Sequence, residues 1–275
     1  MTDAPERPHG EAYTHGYGDQ PRQAMSRRTA ETDAAFLLPH LRPGMRLLDF
    51  GSGPGSITVG LARVVAPGEV VGLDIGPVQV ETARALAAAE GVANARFEVG
   101  SVYTLPFPDA SFDAAFAHTV LEHLADPLAA LREVRRVLRP GGVIGLRDGD
   151  WGGRVVAPPS PLVEEGLALY VRLWVLNGGN PNRGREHRAL LRAAGFGRIA
   201  ASAAAWACGT PEETRSLAAL FHAQLSRPEY VERVVALGWA DRERLAQLAA
   251  AQQDWGEHPD AFSASLFCQA VAWAD

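Results

Sequence analysis

From Arg46 onward, short runs of β-branched and apolar residues alternate with longer amphipathic stretches, an alternation that restricts the chain to a parallel sheet with crossover helices. The runs predict strands over 46–50, 70–74, 95–99, 112–117 and 142–147, with helices near 56–65, 77–90 and 127–138. The result is an open, doubly wound α/β sheet. In such a sheet ligands bind beyond the carboxyl ends of the strands, where the strand order reverses. The helix at 127–138 carries its own punctuation: Asp126 as N-cap, Pro127 in the first turn, and "RPGG" from Arg139 as a break. Leu128, Leu131, Val134 and Leu138 form its apolar stripe.

Ahead of the first strand, residues 1 to about 24 are polar and rich in Pro, Gly and His, and a helical pattern from Ser26 to Leu38 ends at Pro39. We read 1–40 as an N-terminal arm with a lid helix and 41–275 as the main domain. Past the fifth strand we expect a helix from Pro161 to Val175, another from Arg185 to Ala194, and a strand from Arg198 to Ala207. "TPEE" (Thr210 to Glu213) is a capping box opening a helical region that runs with turns to about Trp255. The tail "AFSASLFCQAVAWA" alternates as a last strand. Segments 151–185 and 210–258 are expected as helical insertions that form a substrate cap.

The stretch "RLLDFGSGPGSIT", Arg46 to Thr58, places Gly51, Gly53 and Gly55 on the first strand-to-helix turn, where backbone without Cβ can approach a ligand closely. A dinucleotide fingerprint, GxGxxG, would need glycine at position 56, which is Ser56. A pyrophosphate also favours a helix N-terminus without a carboxylate beside it, whereas Asp49 ends the strand here. A cationic amine would welcome that acid. A second acid, Asp74, ends "VVGLD", where a carboxylate accepts both hydroxyls of a ribose. An adenosine bearing an amine and a positive centre satisfies both acids. A nicotinamide oxidoreductase is the weaker reading, since a chain without lysine has no Tyr-x-x-x-Lys pair.

Composition narrows the partners. At 275 residues and 47% hydrophobic, the chain can bury a sizeable core. Its formal charge of -6 argues against tracking nucleic-acid phosphates. No apolar run approaches the ~18 residues of a membrane span, and the first residues hold no apolar signal region. Cys208 and Cys268 lack metal or disulfide spacing. We therefore expect a cytoplasmic protein with a small-molecule substrate, no nucleic-acid or membrane partner, no metal, and a homodimer as the candidate assembly. All 26 basic residues are arginine, the pattern of a GC-rich bacterial genome.

Four ordered motifs carry a family resemblance: "LLDFGSGPGSIT", "VVGLDIG", "FEVGSVYTLPFPDASFDAAFAHTVLEHLADP" and "LREVRRVLRPGGVIGLRD". Over residues 46 to 148 the chain resembles the class I S-adenosylmethionine-dependent methyltransferases, particularly the group similar to ubiquinone and menaquinone C-methyltransferases. The resemblance implies a Rossmann-like seven-stranded sheet with the last strand antiparallel, and S-adenosylmethionine as cofactor with S-adenosylhomocysteine as product. It also implies site residues. Asp49, Gly51, Ser52 and Gly53 would line the methionine portion, Asp74 would bind the ribose hydroxyls, and Ile75 would pack on the adenine. The family pattern often has Asp where this chain has Ser101, so Ser101 and the Val102 backbone would take over the adenine amino group.

His118, at the end of the fourth strand, would face the methionine amine and orient or deprotonate a substrate, and His123 in "LEHL" would brace the loop. Asp148 and Asp150 offer a base or substrate contact at the end of the fifth strand, with Trp151 beside them. Tyr17, with Tyr13 and His15 in "YTHGYGD", would form an aromatic lid. Arg183 and His187 could meet an acidic substrate, with a solvated arginine-rich turn as the alternative. The expected reaction is methyl transfer to a carbon, oxygen or nitrogen of a small molecule, in bacterial specialised or quinone-like metabolism. A protein that binds the cofactor without transferring methyl is the rival reading.

Overall fold

The computed structural model describes Thr14 and residues 25–275. Seven strands, β1 (Leu47–Phe50), β2 (Val70–Asp74), β3 (Ala95–Val99), β4 (Phe112–His118), β5 (Leu138–Ala157), β6 (Gly197–Cys208) and β7 (Phe262–Trp273), form one sheet in the order β3-β2-β1-β4-β5-β7-β6. The first five strands pair in parallel, and β7 runs antiparallel to both β5 and β6. This is the Rossmann-like sheet with its antiparallel last strand. The order reverses between β1 and β4, which opens a crevice above their carboxyl ends.

Helices cover both faces. The described ones are α1 (Ala30–Asp33), α2 (Ser56–Val65), α3 (Pro77–Ala89), α4 (Pro127–Val137), α5 (Pro161–Leu176), α6 (His187–Ala193), α7 (Pro211–Ser226), α8 (Pro228–Ala236) and α9 (Arg242–Gly256). Because side chains alternate along a strand, Leu48 and Phe50 face Leu131 and Val134 of α4, while Leu47 faces the opposite core with Leu61 of α2. Every residue of β1 is buried, as a strand covered on both faces must be. The caps read from the sequence form as expected. The Asp126 carboxylate accepts from Ala129 N at 2.9 Å, and the Thr210 hydroxyl accepts from Glu213 N at 3.3 Å while the Glu213 carboxylate accepts from Thr210 N at 3.0 Å. Among the described residues no helix is long and apolar enough to cross a membrane.

Two sequence expectations change. The continuous helix over Ser26–Leu38 is instead a turn, the four-residue α1, further turns and a 3-10 helix at Leu38–His40 that includes Pro39. Thr29 stops it from being continuous: extended at φ -132°, it caps α1 by accepting from Thr32 N. The fifth strand is far longer than 142–147. It begins where α4 ends and continues to Ala157, because β7 supplies a partner well beyond the parallel sheet, with Asp150 opposite Leu266 and Val155 opposite Ala264. Residues 151–157, expected to open the helical insertion, therefore belong to this strand, and the glycines of "GDWGGR" lie in and beside an irregularity of its ladder between Asp150 and Val155.

The prolonged ends of β5, β7 and β6 support a helical cap. Helix α5 follows β5, and α7, α8 and α9 lie between β6 and β7. Two apolar clusters hold it. One gathers Val163, Leu217, Phe221 and Trp255, the other Tyr170, Trp174, Tyr230 and Leu248, and Trp151 packs against both.

Candidate active site

At the carboxyl ends of β1, β2 and β4 lies an open cleft with about 1040 Å³ of space free of protein atoms, the solvent at its mouth included. Its floor is the turn from β1 into α2. Gly51 sits at φ +73°, and a Cβ there would lie 2.3 Å from Val120 Cγ2, so only glycine lets this turn pass the loop after β4. Asp74, ending β2, braces the turn from the side: its carboxylate accepts from Gly53 N at 2.9 Å and from Gly76 N at 2.8 Å. Asp49, Gly51, Ser52, Gly53, Asp74, Ile75, Ser101, Val102, His118 and His123 all line the cleft. The strands bring together every cofactor-binding residue expected from the sequence except Tyr17, which lies outside the described residues with Tyr13 and His15.

The charges in the cleft are incomplete. Asp49 is buried on the side of α2 and accepts from the Thr58 hydroxyl at 2.6 Å. Burial pushes its carboxyl up to about 7, the Thr58 bond opposes the rise, and Asp74 adds to it. A cation placed beside Asp49 would reverse that shift. Arg28, from the segment before α1, also lines the cleft; it donates to the Thr119 hydroxyl at 3.0 Å, and no carboxylate among the described residues forms an ion pair with it. An unpaired buried acid and an unpaired guanidinium in one cleft suit the ammonium and carboxylate of an amino-acid end. Sequence reasoning missed Arg28, since nothing in "SRRTAETD" distinguishes it from a solvated arginine.

His118 is held rather than free. Its Nε2 lies 3.1 Å from Arg147 Nη1 and 3.3 Å from Asp33 Oδ1, its ring stacks on Phe267 at 5.8 Å, and Asp33 also bonds Arg147. Burial, with the Arg28 charge next, pushes His118 down to about 4, so the ring is neutral at pH 7. Burial alone would raise Asp33, yet hydrogen bonds from His118 and Thr32 and the nearby Arg147 cation hold it well below the usual carboxylate range. Asp33 thereby pins the N-terminal segment to the ends of β4 and β5. The arm touches the cap as well: the Thr14 hydroxyl accepts from Asn177 Nδ2 at 2.9 Å, and its carbonyl accepts from Arg227 Nη2 at 2.7 Å.

Asp148 takes a different place from the one expected for a base. Fully buried, it is not among the lining residues; it bonds His187 Nε2 at 2.7 Å and accepts from Glu122 N at 3.2 Å. Asp150 is paired with Arg185, and Arg183 with Glu186. His187 is therefore an interior partner of Asp148, and the arginine-rich turn is tied down by ion pairs while Arg185 and Arg188 stay exposed to solvent. Glu122 was also missed. Its carboxylate accepts from Gly149 N at 2.7 Å, and burial, with Asp148 close by, raises its pKa. The signal was in "LEHL": an acid within an apolar stretch has a buried partner or a buried task.

Comparison with known proteins decides the family. Residues 48–146 match the methyltransferase domain. Over 212 residues, 74% of the chain, it is 36% identical to an uncharacterized methyltransferase of Schizosaccharomyces pombe, covering 75% of that protein. It is 31% identical over 277 residues to the probable methyltransferase ltbC of Aspergillus luteorubrus, covering 95% of the chain and 96% of the relative. The chain belongs to the class I S-adenosylmethionine-dependent methyltransferases. The fold agrees with the YcgJ protein of Bacillus subtilis, whose crystal structure superposes with a TM-score of 0.56 at 22% identity, covering 88% of this chain and 98% of that one.

S-adenosylmethionine is the cofactor of this methyltransferase, and the cleft fits it. The uncompensated Asp49 suits the cofactor's ammonium, Asp74 stands at the strand end beside the glycine turn, and the turn has no room for a side chain at Gly51.

Proposed function

We propose that this methyltransferase methylates a flat, apolar small molecule, a quinone or another aromatic product of specialised metabolism, held between the loop after β4 and the cap. One observation carries the reading. His123 lines the cofactor cleft and stacks on Trp174 of α5 at 4.9 Å and 17°, so the cleft wall and the cap share a surface. Beyond it, Trp151 meets Trp174 edge-on at 5.6 Å and Phe221 at 6.1 Å. Stacked and edge-on rings favour a planar apolar occupant over a polar one. The free thiols of Cys208 and Cys268 suit a reducing, cytoplasmic setting, and the arginine-only basic set suits a GC-rich bacterial source.

When bound, the cofactor supplies an electrophilic methyl group, so the protein needs alignment more than a nucleophile. Asp49 and Arg28 would hold the amino-acid end and Asp74 the ribose. His118, neutral and with Nδ1 buried and unbonded, would hydrogen-bond the acceptor rather than carry its proton. Asp148, locked to His187, would position the loop between Glu122 and Gly149. The test is transfer of labelled methyl to a panel of quinones and phenols by wild type and Trp174→Leu. Loss of acceptor turnover at unchanged cofactor affinity supports the reading; label reaching no acceptor, or a Trp174→Leu variant as active as wild type, refutes it.

A further inference from the structure

Under the cap, the far ends of β5, β7 and β6 carry polar groups that neither the cofactor cleft nor the proposed transfer uses. Arg154 of β5 is half-buried, with its guanidinium 4.7 Å from the ring of Phe221 and 5.1 Å from that of Trp151. Its Nε is buried without a hydrogen-bond partner, and no carboxylate among the described residues forms an ion pair with it. Burial pushes Arg154 down to about 10, and only the Cys208 thiol opposes the shift. By contrast, the inward guanidiniums of Arg147 and Arg183 each meet an acid.

Two further groups share the neighbourhood. Ser263 is 1% exposed and its Oγ is unbonded. The ladder sets Ser263 directly opposite Val156 on one side and Cys208 on the other, and residues opposite one another in a sheet point to the same face. Val156 and Cys208 both pack in the cap cluster with Phe221 and Trp255, so Ser263 faces that cluster too. Trp255 of α9 belongs to the same cluster, and its Nε1 is likewise buried and unbonded. The guanidinium, the hydroxyl, the indole N–H and the thiol are all donors; the acid near Cys208, Glu213, is engaged by Gly209 N and Thr210 N at the cap of α7, and no carboxylate among the described residues bonds Arg154, Ser263 or Trp255. Buried donors left unmade are costly, and a ligand oxygen that satisfies several at once is favoured.

We propose that Arg154, Ser263 and Trp255 form a carboxylate-binding subsite for the methyl acceptor. The inference rests on the acceptor position proposed above: ring contacts run from Trp151 through Trp174 to His123 at the cofactor cleft. The acceptor is then an elongated aromatic acid, with its carboxylate at Arg154, its rings along Trp151 and Trp174, and its reacting atom near His118. A planar guanidinium between two rings matches a planar carboxylate held by paired hydrogen bonds.

The test is calorimetric titration of the full chain, saturated with S-adenosylhomocysteine, with 1-naphthoate, 1-naphthamide and naphthyl phosphate. Wild type is expected to bind the naphthoate at least tenfold more tightly than the amide. Arg154→Met should abolish that preference, and Ser263→Ala should reduce it, both at unchanged S-adenosylhomocysteine affinity. Melting curves separate this from a structural role: replacing an unpaired buried cation with Met should hold or raise the melting temperature, whereas a structural guanidinium would lower it. Equal affinity for acid and amide, no binding of naphthoate, a preference that survives in Arg154→Met, or tighter binding of the phosphate would each overturn the proposal. Because the readout is binding without turnover, it can fail while methyl transfer to a neutral acceptor stands, and the reverse.

Discussion

Raising the pH from about 6 to about 7.5 should tighten binding of S-adenosylhomocysteine about eightfold, close to 1.2 kcal/mol. Asp49 sets this dependence, since burial puts its carboxyl at about 7 in the free protein. Only the ionised form can hold an ammonium, and its share rises from about a tenth at pH 6 to about three quarters at pH 7.5. Folding stability alone runs the other way: a carboxyl raised above its unfolded value of 3.8 contributes stability fully present below about pH 4 and lost as the pH climbs through about 7. The ligand-induced rise in melting temperature should therefore grow with pH while the free protein softens. Calorimetry in buffers of different ionisation enthalpy reads the same event as protons released on binding. An Asp49→Asn variant should show weaker, pH-independent binding over this range. A flat wild-type profile, or an equal slope in the variant, would refute the assignment of Asp49 to the amine.

Asp74→Ala should cost about 1–3 kcal/mol of cofactor affinity in the same titration, since it strands ligand hydroxyls and also frees Gly53 N and Gly76 N, while circular dichroism shows the fold intact. Gly51→Ala forces a side chain onto Val120 and adds about 1–2 kcal/mol of left-handed strain, so cofactor binding should fail; the double variant with Val120→Ala should recover part of it, because only the contact is relieved. Asp33→Ala leaves the Arg147 charge buried without its acid and should lower stability by about 3–5 kcal/mol in urea unfolding. Arg28→Ala should raise the Km for the cofactor while leaving the melting temperature of the free protein nearly unchanged, because its side chain's partner among the described residues is a single hydroxyl.

The cofactor half was legible because its information is local. Strand, glycine turn and acid occur within a dozen residues, and the parallel sheet then carries Asp49, Asp74, Ser101 and His118 to one edge by topology alone. The rest was set by partners distant in sequence. Asp148 reads as a strand-end acid until His187 closes on it from 39 residues away. Arg28 enters the cleft on a segment held by distant partners, Arg28 itself on Thr119 and Asp33 on Arg147, 114 residues on. The length of β5 depends on β7, more than a hundred residues later, and no period within "GDWGGRVVA" reports it.

The insertion that builds most of the cap leaves β6 at Cys208 and rejoins β7 beside Ser263, two residues that face each other on one rung of the ladder. The chain between them leaves and re-enters the sheet at a single doorway, one strand spacing wide. A tight hairpin could bridge that doorway, and so could a different set of helices, with no change in the register of the strands beneath. The fold is thus divided like a lathe and its chuck: the cofactor machinery stays bolted to the parallel sheet, and the part that grips the workpiece can be exchanged as one cassette.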